Sequence, residues 1–195
     1  MQIIDGTGKG YRSKVDANNR LHVQGVINDE SLHASEKGDA YNINTGLISI
    51  NGNATLQYIK NNEDKDLVIE AIAIGSFEGI THSDDPYITL VRNPTGGDLI
   101  SDATAVSMNQ NRNFGSSKTL TADNYKGKVS GTLTGGNDIA ILQVNPATRS
   151  FYGINFILTK GSSLGVKLTA NVTGGSANYY CAIICYLKDP ESKDD

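Results

Sequence analysis

Residue types that commonly do chemistry are sparse in this chain: three histidines, two cysteines and one acidic run beside a histidine. That run is His82-Ser83-Asp84-Asp85. Hard oxygen donors gathered in one loop are what a calcium ion takes. Pro86 follows at once and the EF-hand pattern is missing, so the plainer reading is a solvated turn ahead of a strand, with no metal. His22, His33 and His82 never pair at ligand spacing, and no HxH is present. Cys181 and Cys185 lie four apart in NYYCAIICYL, which reads as a strand. At ~3.3 Å per residue their Cα atoms stand ~13 Å apart, beyond disulfide reach. Both point to one face and behave as small apolar groups. A metal pair would need CxxC or CxH spacing, which the sequence lacks.

Nucleophilic and phosphate chemistry fare no better. DGTGKG invites a phosphate-loop reading, but Walker A needs its lysine followed by Ser or Thr, and Lys9 is followed by Gly10. Serines are many, yet there is no GxSxG and no histidine with an evident acid partner. Asn53-Ala54-Thr55 and Asn171-Val172-Thr173 match the glycosylation pattern, incidental here because the start lacks a signal-peptide layout. Arg112 and Phe114 in NQNRNFGSS offer one stacking pair for a sugar or a nucleic acid. The plainer role for Arg112 is to pin a long loop by hydrogen bonds to carbonyls. No cofactor is expected, and no enzyme activity.

Composition bounds the rest. A 195-residue chain buries roughly 70% of its unfolded surface and needs neither disulfides nor metal to hold a core. Twenty-one glycines, no tryptophan and 19% charged residues suit short strands joined by tight turns. A net charge of −4 gives no case for nucleic acid. No apolar run approaches a membrane span, and folding in a cytoplasm is expected.

The elements that must carry these residues are strands. YRSKVDANNRLHVQGVI predicts a hairpin turning at Asn18-Asn19, in which Tyr11, Ser13 and Val15 share one face before the turn and Leu21 and Val23 share one after it. NDESLHASEKG predicts a short helix capped by Asn28 or Asp29 and ended by Gly38. AYNINTGLISI, ATLQYIK, DLVIEAIAIGSF, YITLVR, DNYKGKVSGTL, DIAILQVN, SFYGINFILT, LGVKLTANV and NYYCAIICYL follow as strands. In DLVIEAIAIGSF, simple alternation puts Val68, Ile72 and Ile74 on one face with Glu70, and Leu67, Ile69, Ala71 and Ala73 on the other. No helix of crossover length separates them, so the fold class is all-β: an antiparallel β-sandwich, expected to be a jelly roll. Residues 97–118 read as a long polar loop of the kind that carries function.

Residues 1–20 stand apart. Gly6, Gly8 and Gly10 deny this stretch regularity of its own, and its charge is +2 against −6 for the remainder. The expected division is an arm and hairpin at 1–28, a sandwich body at 29–188 and an acidic tail at 189–195. Ile3, Ile4 and Tyr11 are candidate apolar anchors for the arm. Lys9, Arg12 and Lys14 are its candidate electrostatic contacts, and Arg112 and Phe114 are candidates for the same partner.

The runs GTGKGYRSKVDANNRLHV, HASEKGDAYNINTG, LQYIKNNEDKDLVIEAIAIG, ITLVRNP, MNQNRNFGSS and KGSSLGVKL together resemble virion structural proteins of tailed bacteriophages. The resemblance implies a non-enzymatic part of a virus particle, and no catalytic motif belongs to the group. With the arm, it implies a capsid decoration or cement protein. Such a protein docks on the major capsid protein or other virion proteins, outside the head, as a homo-oligomer in which a trimer is favoured. A tail, neck or fibre-anchoring protein is the alternative in the same class. A carbohydrate-binding host-recognition module is the alternative in another, with Tyr87, Tyr125 and Tyr152 as its aromatic platform.

Overall fold

The computed structural model describes residues 29–77, 86–97, 108–127, 132–145, 149–170 and 176–190. It also describes the paired backbone at 14–15 and 21–22, and at 108–109 the backbone alone. Strands β1 (Lys14–Val15) and β2 (Leu21–His22) form the expected antiparallel ribbon, with Val15 opposite Leu21.

Helix α1 spans Glu30–Lys37 and owes its limits to its ends. The Asp29 carboxylate accepts the Ser31 N–H at 2.9 Å, filling one of the donors a helix start leaves open. Gly38 closes it at φ +75°, where its N–H and that of Asp39 reach back to Ser35 and Ala34. Glu30 in the first turn and Lys37 in the last both favour the macrodipole.

Eleven further strands make two packed antiparallel sheets. They are β3 (Ala40–Asn44), β4 (Ile48–Ile50), β5 (Ala54–Asn61), β6 (Asp66–Phe77), β7 (Tyr87–Arg92), β8 (Met108–Asn111), β9 (Ala122–Lys126), β10 (Asn137–Gln143), β11 (Arg149–Leu158), β12 (Ser163–Thr169) and β13 (Ala177–Lys188). One sheet runs β10-β7-β12-β5-β9. The other runs β11-β6-β13-β3-β8, with β4 also paired to β13. Their inner faces share one core in which Ile43, Leu56, Ile59, Ile72, Leu90, Val166, Tyr179 and Ile183 are sealed from solvent. Strand β13 alternates inward and outward without a break, and Cys181 and Cys185 both lie inward, as expected.

Three expectations are corrected. AYNINTGLISI is two strands, because Gly46 turns at φ +66° and the Thr45 hydroxyl accepts the N–H of Cys181. The segment 97–118 is not all loop: Met108–Asn111 is strand β8, polar because it is an edge paired only to β3. Simple alternation in β6 also fails. Against β13 the register skips Glu70, so Leu67 and Ile69 point inward before the skip and Ile72 and Ile74 after it. Strand β11 skips once more against β6, between Gly153 and Phe156, where Asn155 takes φ +49°. The sheet therefore gains a residue at each step towards its β11 edge, and bends there. Edge strand β10 carries a similar skip between Asp138 and Ala140.

Candidate interaction surfaces

Among the described residues, those with an obvious claim to chemistry are not gathered by the fold. Cys181 and Cys185 are fully buried, and burial pushes both thiols up, that of Cys185 to about 12. His33 lies half-exposed on α1, with Nδ1 3.8 Å from Glu36. Among the described residues, no group of three or more His, Cys, Asp or Glu side chains is placed to hold a metal ion. His82, Asp84 and Asp85 lie outside the described residues.

What the fold does build is a rigid mount for one aromatic ring. After β8 the chain turns through Arg112–Gly115, and asparagine side chains fix the turn. Asn111 Oδ1 accepts the N–H of Asn113, and Asn113 Oδ1 accepts that of Gly115, both being side-chain mimics of a backbone turn. The Asn111 amide donates to Gly38 O at 2.7 Å and to Lys118 O at 3.1 Å, and the Asn113 amide donates to Glu36 O. The turn is thereby clamped onto the C-terminal end of α1. Gly38 is required there twice over, by its positive φ and because a Cβ would stand 2.2 Å from Ser116 Oγ.

Two charge contacts complete the mount. Arg112 donates at 3.0 Å to both Glu70 and the Ser31 hydroxyl, which itself donates to Glu70 at 2.8 Å. Lys118 donates to Asp39 at 2.7 Å, and Lys65 stands 3.5 Å away. Burial alone pushes the Asp39 carboxyl up. The Lys118 hydrogen bond and charge, with Lys65, outweigh it and hold that carboxyl below its ordinary value. The ring so mounted is Phe114, 99% exposed.

At the other flank of the sandwich, edges β10 and β11 are apolar on the outside as well. Ile141 is 69% exposed, and Phe151 and Ile157 are each 59% exposed. The two strands are tied at one end, where the Tyr152 hydroxyl donates to Gln143 O. At the other end a cleft of about 430 Å³ opens between the sheets, with an apolar wall of Ile139, Phe156, Ile157, Leu158 and Leu164 and a polar remainder of Arg92, Asn93, Thr159, Ser162 and Ser163.

The sequence-predicted site residues divide accordingly. Phe114 is displayed, while Arg112 is turned inward and paired with a carboxylate, not with carbonyls. Ile3, Ile4, Lys9, Tyr11 and Arg12 lie outside the described residues, and of Lys14 only the backbone is described, opposite His22. Tyr87, Tyr125 and Tyr152 stand on β7, β9 and β11, in two different sheets, and make no common platform. Tyr125 instead stacks on Tyr58, with centroids 6.0 Å apart. Residues Ile139, Ile141, Phe151 and Ile157 were not expected at the surface.

No known protein-family model matches this chain, and comparison with curated proteins finds no relative.

Proposed function

We propose that this chain is a non-catalytic structural subunit of a tailed-bacteriophage particle, and within that class a decoration protein seated outside the head shell. The supporting observation is Phe114: a ring 99% exposed, on a turn whose backbone is held by side-chain hydrogen bonds from both ends. Holding an apolar ring rigidly in water gains the chain nothing. Against a partner's pocket the same ring is a pre-ordered anchor of the kind that dominates interface energy. The resemblance carried by GTGKGYRSKVDANNRLHV and MNQNRNFGSS supplies the class of particle.

In this reading the subunit self-associates, with a trimer favoured. The basic segment 1–20 reaches the major capsid protein through Ile3, Ile4 and Tyr11, aided by Lys9, Arg12 and Lys14. Arg112 serves by holding the Phe114 turn. The strand order supports reading the sandwich as a jelly roll, since β5, β6 and β7 alternate between sheets, as do β10 to β13.

Immunogold labelling of particles released from the producing bacterium tests the proposal. Many gold grains distributed over the head are expected. Grains at the neck or tail would move the protein to the fibre-anchoring alternative. Particles without the protein would end the virion reading.

A further inference from the structure

We infer that copies of this chain join head to tail, with Phe114 of one copy seated in the cleft between β10 and β11 of the next. The inference rests on the self-associating subunit proposed above, and names its joint.

Three features fit the occupant to the cleft. Size permits it first: a ring the size of benzene fits in ~150 Å³, and this open cleft of about 430 Å³ has room for it. Surroundings agree next: one wall of the cleft, Ile139, Phe156, Ile157, Leu158 and Leu164, is hydrocarbon and suits a ring with no polar atom to satisfy, while Asn93, Thr159, Ser162 and Ser163 make the rest of the lining polar. Charge agrees as well: the exposed Glu36 side chain stands beside the Phe114 turn, and exposed Arg92 stands beside the cleft.

Position excludes a contact within one copy. The turn follows β8, the last strand of its sheet, while β11 is the first. Four strand spacings of ~4.8 Å lie between them. Ring and cleft thus lie at opposite flanks of the sandwich. A surface joined to a different surface on an identical copy makes a heterologous contact, which closes into a ring or grows as a filament.

The edges also favour side chains over backbone as the means of joining. Strand β10 skips register at Ile139 and β11 near Asn155, so neither presents a long even row of peptide groups for strand addition.

Sedimentation of the full chain, with Phe114→Ser and Ile157→Asp as variants, tests the joint. Both side chains are exposed, so both variants should melt close to wild type. Each should weaken self-association by at least ~30-fold, the loss expected of an interface anchor. An equimolar mixture should then form a heterodimer and nothing larger, since one intact joint remains: Phe114 of the Ile157→Asp variant in the unaltered cleft of the Phe114→Ser variant. Unchanged assembly of the Phe114→Ser variant, failure of the mixture to pair, or a monomeric wild-type chain would each overturn the inference. The virion reading is judged separately, by the presence of the protein on particles, and survives if only the joint fails.

Discussion

Arg112 meets Glu70 at 3.0 Å where β6 skips register, so one ion pair fastens the exit of β8 to the bent part of the sheet. The Ser31 hydroxyl joins them and brings α1 into the same contact. Both charged side chains are about a third exposed, which tempers the pair's worth. Arg112→Ala should lower unfolding stability by about 1–2 kcal/mol and speed amide exchange in α1. Arg112→Lys should recover only part of the loss, because an ammonium lacks the guanidinium's fixed fork. Urea unfolding and hydrogen exchange measure both effects. A stability equal to wild type in the alanine variant would make the pair incidental.

Asp39 sets a limit at acid pH. Its carboxyl is held below the ordinary 3.8 despite burial, through Lys118 and Lys65. A folded value below the unfolded one stabilises fully above the unfolded value, and that contribution disappears as pH falls through the folded value. Wild type should therefore lose stability below about pH 4 more steeply than Asp39→Asn, which is weaker at pH 7 and flatter in acid. Urea midpoints at about pH 7, 5 and 3 measure the difference, and parallel curves would exclude Asp39 as a contributor.

Gly127 approaches the backbone of β5 closely, donating its N–H to Leu56 O at 2.7 Å. A Cβ there would stand 1.5 Å from Thr55 O, which no rotamer can relieve. Gly127→Ala should cost about 2–3 kcal/mol by displacing the end of β9. Gly153→Ala meets nothing within 4 Å and should be neutral or gain a few tenths, by restricting the unfolded chain. Equal thermal shifts in the two variants would contradict this account.

The thiols should be silent. Burial removes Cys181 and Cys185 from reagent and disfavours their thiolates. A thiol-reactive disulfide should label neither in the native protein and both in denaturant. Rapid native labelling would mean that β13 opens readily.

Local chemistry was the legible part. Asp29 and Gly38 announce the helix, and NYYCAIICYL announces a strand with both cysteines inward, because caps and alternation act over a few residues. The inward set of β6 was not legible, since the skip at Glu70 is a relation to β13 and leaves no mark in DLVIEAIAIGSF itself. MNQN carries no strand signal and is a strand only because β3 offers it a ladder. SFYGINFILT shows apolar residues on both faces, a signal visible in the sequence. Whether such a strand lies at the centre or the edge depends on sheet order, which spacing does not encode. Phe114 stood out in NQNRNFGSS, but its mount needed the helix end at Gly38, seventy-three residues away from Asn111.

The register skips in β10 and β11 have a consequence for crowding. Sheet proteins held at high density are prone to zip edge to edge into fibrils, a growth that needs uninterrupted rows of amide and carbonyl groups. Here both apolar edges are interrupted, and the opposite edges, β8 and β9, are short. Many copies can therefore sit side by side, sticky at chosen side chains, without their sheets fusing.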